Sequence, residues 1–95
     1  MTIQEQALKR FGPDQQIDMA IEECAELIVA LKHHKRGRAT VKDVAGEIAD
    51  VWIMVEQLRK HFGTCLVDAA KAAKLTRLAE TIRGKDGRTA TDQAG

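Results

Sequence analysis

The sequence predicts an all-α protein, a four-helix bundle that assembles as an oligomer. The chain has 95 residues, which is the size of one domain. It contains one proline, one tryptophan and two phenylalanines. Alanine, leucine, isoleucine, glutamate and lysine are frequent, a composition that favours helices. Stretches rich in these residues are separated by glycine-containing turns, so we expect four helices.

The first two helices should meet at a glycine–proline turn. We expect a short helix over residues 3–10 that stops at Phe11-Gly12. Pro13 or Asp14 opens the second helix, because proline is tolerated in a first turn and an acid suits the positive end of the helix dipole. This helix should run to about Lys35, where basic side chains complement the negative end of the dipole.

Two further turns should precede the third and fourth helices. Thr40 is a candidate N-cap, with Asp43 three residues later, for a helix that ends near His61. The fourth helix should follow the Gly63-Thr64 turn and end near Ile82.

These boundaries predict one helical domain over residues 1–82. Residues 83–95 carry little apolar content, and we expect them to form a disordered tail.

Charge and cysteine content narrow the classes of protein. The formal net charge is +1, so the chain as a whole is neither a strongly acidic nor a strongly basic binder. Cys24 and Cys65, in a chain whose start lacks a secretory signal, predict free thiols in the cytoplasm. No uncharged run approaches the ~20 residues that span a bilayer, so we expect no membrane partner.

Four acids lie in the most apolar segments of the chain. Glu23 and Glu26 are three residues apart in the second helix, as are Glu47 and Asp50 in the third. Residues with this spacing share a helix face, so each pair can point at one ligand. Carboxylates in apolar surroundings repel each other unless a cation compensates. Mg²⁺ prefers oxygen ligands, so the pattern predicts a magnesium site.

Two other interpretations of the acids are possible. One is a solvated helix face, which the apolar neighbours of the acids disfavour. The other is a di-iron carboxylate bundle, whose Glu-x-x-His pairs do not occur here.

Both acid-bearing helices have apolar residues on more than one face. We expect Trp52 to lie in the core, with base stacking as the alternative. Helices of this kind are buried on several sides, which a small domain cannot easily achieve alone. We therefore expect a homo-oligomer, a dimer or tetramer, with the site close to the subunit boundary. The predicted core stripe of the second helix comprises Ile17, Ala20, Ile21, Cys24, Leu27, Ile28 and Leu31.

The acids fit a longer pattern, Glu22-Glu23-x-x-Glu26, twenty intervening residues, then Glu47-x-x-Asp50. This resembles the EExxE and ExxD signature of the MazG-like, all-α nucleoside triphosphate pyrophosphohydrolases, specifically their compact phage-type or bacterial members. The resemblance spans roughly residues 8–82. It also includes the Phe11-Gly12 turn followed by Gln16, the run from Glu47 to Leu58, and Lys74-Leu75-Thr76-Arg77, which resembles the KFxRR segment of the family.

The resemblance implies hydrolysis of a (d)NTP between its α and β phosphates, giving (d)NMP and pyrophosphate. By the same resemblance, Glu23, Glu26, Glu47 and Asp50 are candidate Mg²⁺ ligands, with Mn²⁺ as a possible substitute. Glu22 and Glu23 are candidate catalytic residues, although the general base stays open among the acids. Lys74 and Arg77, with Lys71, are candidate ligands of the phosphates. The family also implies dimers or dimers of dimers.

This chain departs from the family pattern at two positions. Lys71 stands where many relatives have asparagine, and Leu78 replaces the second arginine of KFxRR.

Two alternative functions remain. One is a non-catalytic helical interaction or nucleotide-sensing module with the same fold. A helix-turn-helix DNA binder would need a basic recognition helix, whereas the third helix is apolar with embedded acids, so we expect no stable nucleic-acid binding. The basic run 32–38 is either a solvated helix end or an electrostatic attractant for the triphosphate.

Overall fold

Four α-helices account for most of residues 1–84, the part of the chain that the computed structural model describes. They are α1 (Ile3–Phe11), α2 (Pro13–Lys35), α3 (Val41–Phe62) and α4 (Thr64–Arg83). Residues 1–84 contain no strand, which confirms the prediction of an all-α protein with four helices. None of these helices combines the length and hydropathy needed to cross a membrane.

Local interactions set the start of α1 and its junction with α2. The hydroxyl of Thr2 accepts the backbone N–H of Glu5 at 3.1 Å, and the Glu5 carboxylate accepts the N–H of Thr2 at 2.9 Å. Gly12 follows α1 at φ +88°, a conformation that disfavours residues with a Cβ. Pro13 then opens α2, as predicted.

The connection between α2 and α3 is short and hydrogen-bonded. The N–H of Arg38 donates to the carbonyl of His33 at 2.8 Å, and Gly37 takes φ +72° between them. The predicted capping box is present: Thr40 Oγ1 accepts the N–H of Asp43 at 3.1 Å, and Asp43 Oδ2 accepts the N–H of Thr40 at 2.9 Å. These bonds lower the pKa of Asp43. They fix where α3 starts relative to the end of α2.

The chain divides into two compact units, Met1–Phe62 and Gly63–Gly95. In the first unit α2 and α3 form a helical hairpin, and α1 packs against both. The second unit contains α4, which ends at Arg83 with Gly84 as a left-handed cap. Residues 85–95 of the expected tail lie outside the described residues.

The acid-bearing face of α2 is the face that packs towards α3. Gln16 and Ala20 are buried on α2, and Glu23 and Leu27 continue the same face as half-buried residues. Met54 and Gln57 are the buried residues of α3.

The predicted core stripe of α2 is therefore only partly correct. Ala20 is buried and Ile17 and Leu27 are half-buried, but the outer part of the stripe is open because α1 and α3 leave that side of the unit uncovered. Trp52, expected in the core, is 74% exposed. The exposed members of the stripe are Ile21, Cys24, Ile28 and Leu31.

Candidate functional site

Three of the four predicted metal ligands converge. Glu23 and Glu26 from α2 and Glu47 from α3 each offer a carboxylate oxygen, and these atoms lie within 4.8 Å of one another. We call these residues the carboxylate cluster. Glu23 and Glu26 share a helix face through their spacing, and the hairpin brings Glu47 to them. The cluster is the only such group of His, Cys, Asp or Glu side chains within residues 1–84.

Two oxygens of the carboxylate cluster are buried without a partner. Glu23 Oε2 and Glu47 Oε2 have almost no accessible surface and no hydrogen bond to any described residue. Withdrawing a carboxylate oxygen from water without replacing its hydrogen bonds is costly. An ion bound among these side chains would remove that cost, since hard divalent cations take carboxylate oxygens as ligands. The donor set therefore fits Mg²⁺ or Mn²⁺.

The electrostatics of the carboxylate cluster also favour a bound cation. Partial burial raises the pKa of Glu23, and the charges of Glu26 and Asp50 raise it further. The pKa of Glu47 is also raised, by burial and then by Glu26 and Asp50. Glu23 and Glu47 are thus easier to protonate than isolated carboxylates, which is the behaviour of acids that lack a counter-charge.

Asp50 and Glu22 lie beside the carboxylate cluster rather than in it. Asp50, the fourth predicted ligand, is exposed on α3, one turn from Glu47. It is close enough for its charge to act on Glu23 and Glu47. Glu22 is exposed on α2, next to Glu23 in the chain.

A pocket of about 530 Å³ opens beside the carboxylate cluster, between the end of α2 and the start of α3. We call it the loop pocket. Glu26 and Glu47 belong to both the cluster and the pocket. Its polar lining is Glu26, His33, Arg38, Asp43 and Glu47, and its apolar lining is Ala25, Val29, Ala30 and Ala39.

The predicted phosphate ligands lie on α4, in the second unit. Lys71, Lys74 and Arg77 are all exposed, and their spacing of three residues places them along one side of the helix.

Sequence reasoning did not single out two features of the hairpin. The sequence marks His33 and Arg38 only as members of a basic run, whereas both line the loop pocket. Gln57 is 4% exposed, and its Oε1 has no partner among the described residues. Hydrophobic periodicity could not reveal it, since a buried glutamine has no apolar signature.

The chain matches no protein-family model, no curated protein and no solved structure. The geometry of the residues therefore carries the functional argument.

Proposed function

We propose that this protein is a divalent-cation-dependent pyrophosphohydrolase that cleaves a (d)NTP to a (d)NMP and pyrophosphate. The observation that carries the proposal is the carboxylate cluster, three acids from two helices with two buried, unpartnered oxygens. A solvated helix face would not bury such atoms. The motif resemblance implies the reaction. Cation binding would explain why the three acids converge and bury two unpartnered oxygens.

In this proposal the carboxylate cluster holds the cation. Glu23, Glu26 and Glu47, which the hairpin brings together, would be its ligands, and Asp50 is the adjacent fourth candidate. Mg²⁺, or Mn²⁺ in its place, would supply positive charge against the phosphate oxygens as negative charge develops on them.

The protein's own carboxylates would handle the attacking water. Glu22 or Glu23 accepts a proton from the water as its oxygen forms a bond to the phosphorus under attack. The phosphoanhydride bond between the α and β phosphates breaks, and the bridging oxygen leaves with the electron pair. Glu23 is the better placed of the two to orient water near the cation, while the exposed Glu22 is better placed to release the proton to solvent.

The basic side of α4 would bind the outer phosphates. Arg77 offers a planar fork of donors that matches two phosphate oxygens, and Lys74 offers a point charge. Lys71 extends the same exposed side of the helix.

The active form is proposed to be a homo-oligomer. An apolar groove in the first unit is lined by Cys24, Ile28, Phe62 and other apolar residues, and Ile21 beside them is 62% exposed. Two-fold pairing, the commonest symmetry of oligomers, would cover these exposed apolar residues. A cytoplasmic location stays a prediction, resting on the unpaired thiols of Cys24 and Cys65.

A second candidate is a helical interaction or nucleotide-sensing module without catalysis. The same apolar groove would give such a module a surface on which to bind its partner.

One assay separates the two candidates. The purified protein is incubated with a panel of NTPs and dNTPs and Mg²⁺ or Mn²⁺, and pyrophosphate and orthophosphate are measured separately. We expect pyrophosphate and the matching monophosphate, and no product in excess EDTA. Nucleotide binding without turnover would instead favour the sensing module, and release of orthophosphate alone would contradict cleavage at the α–β bond.

A further inference from the structure

The loop pocket has a charge distribution that does not suit a phosphate. Glu26, Asp43 and Glu47 line it against one guanidinium, that of Arg38. Even when a cation offsets Glu26 and Glu47, the charge of Asp43 still balances that of Arg38. An anionic group would therefore gain no net attraction there. The part of a nucleotide that fits this balance is the uncharged nucleoside.

The shape of the loop pocket agrees with this choice. Its volume of about 530 Å³ lies within the ~300–1,000 Å³ usual for small-molecule sites. Alanines at positions 25, 30 and 39, together with Val29, give it short apolar walls, which leave room for a planar ring. Because Glu26 and Glu47 form its edge, a nucleoside in the pocket would keep its phosphates next to the carboxylate cluster.

Arg38 is held at the loop pocket and is available to a ligand. The backbone N–H of Arg38 donates to the backbone carbonyl of His33 at 2.8 Å. This bond keeps the two residues at the same end of the hairpin. Among the ion pairs of residues 1–84, none involves Arg38. A guanidinium has five N–H donors and no acceptor. A carbonyl oxygen on a base accepts from it, whereas adenine offers ring-nitrogen acceptors beside an amino group that is itself a donor.

We propose that the loop pocket binds the nucleobase of the substrate. Arg38 donates a hydrogen bond to a base carbonyl, and His33 contacts the same base. This rests on the proposed function, since it assigns the remaining part of the same nucleotide. It predicts a preference for bases that carry a carbonyl group (guanine, uracil, thymine and cytosine) over adenine, which has none.

Binding measurements test the assignment independently of turnover. Isothermal titration with Mg²⁺ present compares GMP, UMP, AMP and inorganic tripolyphosphate, which lacks a base. The variants are Arg38→Ala, Arg38→Lys and His33→Ala. Arg36→Ala is the matched control: it removes the same charge from the same loop, but Arg36 does not line the loop pocket. Helical content by circular dichroism verifies that each variant is folded.

We expect Arg38→Ala to weaken GMP and UMP binding about tenfold or more, the scale of one charge-assisted hydrogen bond, and His33→Ala to weaken it less. Tripolyphosphate binding should be unchanged, and Arg36→Ala should bind all four ligands like the wild type. The wild type should bind AMP more weakly than GMP. In Arg38→Ala the difference between the two dissociation constants should become smaller.

Equal losses for GMP and tripolyphosphate in Arg38→Ala would overturn the proposal, since Arg38 would then contact phosphate. Equal effects of Arg38→Ala and Arg36→Ala would also overturn it, because only general attraction would be involved. Failure of the wild type to release pyrophosphate would count against the proposed function alone, since these titrations measure binding and require no turnover.

Discussion

Glu23 on α2 and Glu47 on α3 each bury a carboxylate oxygen, Oε2, that no other group within residues 1–84 hydrogen-bonds. The two residues come from opposite helices of the hairpin, yet both belong to a group whose ligand atoms lie within 4.8 Å. Two such unpartnered oxygens destabilise the fold unless positive charge or a proton reaches them. A cation at this point would therefore stabilise the fold and, in the proposed function, also take part in catalysis.

Removing any one acid of the carboxylate cluster should abolish most activity. We expect Glu23→Gln, Glu26→Gln and Glu47→Gln each to lower kcat at least ~100-fold, the scale on which electrostatic catalytic groups act. Asp50→Asn should have a smaller effect, because Asp50 lies outside the group of converging ligand atoms. The measurement is steady-state pyrophosphate release at saturating Mg²⁺. Asp18→Asn, an exposed acid on the same helix as Glu23, is the control and should keep wild-type activity. Full activity of the wild type in excess EDTA would refute the role of the cluster.

The stability of the metal-free protein should depend on pH through the same acids. Burial and neighbouring charges raise the pKa of Glu23 and Glu47 above the ordinary 4.5, so the folded state holds these protons more tightly than the unfolded state. Their contribution to the free energy of unfolding is greatest at pH 4.5 and below, and it is lost as pH rises through the raised pKa values. Glu47→Gln removes one such group, so its stability relative to the wild type should increase with pH towards neutrality.

Thermal unfolding followed by circular dichroism, in EDTA and across this pH range, measures the difference. Adding Mg²⁺ at neutral pH should raise the Tm of the wild type more than that of Glu47→Gln. A variant less stable than the wild type at every pH would instead assign Glu47 a structural role.

Lys74 and Arg77 should distinguish triphosphates from monophosphates. Lys74→Ala and Arg77→Ala each remove a contact to the outer phosphates, so binding of a non-hydrolysable triphosphate analogue should weaken much more than binding of a monophosphate. Lys71→Ala should have a smaller effect, since Lys71 departs from the motif. Arg83→Ala, at the end of the same helix and on a different side of it, is the control for loss of charge. Equal losses for both ligands in Lys74→Ala would contradict the assignment.

Covering the apolar groove should require a second copy of the chain. We expect Ile28→Glu to dissociate the oligomer, because a charge in that groove could not be buried without a partner. Val41→Glu introduces the same charge at an exposed site outside the groove and should leave the assembly intact. Light scattering coupled to size exclusion gives the mass. A stable, active wild-type monomer of 10.5 kDa would refute the prediction.

Local chemistry made the helix boundaries predictable. Pro13 and the Thr40–Asp43 pair set the starts of α2 and α3 through interactions that span only a few residues. The sequence alone therefore indicates where these helices begin. The convergence of Glu23, Glu26 and Glu47 could also be predicted from the sequence. The spacing of Glu23 and Glu26 puts them on one helix face, and the motif pairs them with Glu47 of the next helix.

Burial was less predictable. Periodicity identifies apolar faces but not which face receives a neighbour, so it predicts a core stripe through Cys24 and Ile28 that the structure leaves exposed. In the structure α3 packs on the adjacent face, which carries Ala20 and Glu23. The turn between α2 and α3 places Arg38 and His33 in one pocket with the acids. No local sequence pattern predicts that proximity, because it depends on how the two helices pack.

The short connection over residues 36–40 also bears on the speed of folding. A hairpin closed by so few residues loses little loop entropy and forms early, as local contacts do. Its closure brings Glu26 and Glu47 together. We therefore expect their like charges to meet before the rest of the chain is ordered. A divalent ion that screens this encounter would lower the barrier as well as stabilise the product.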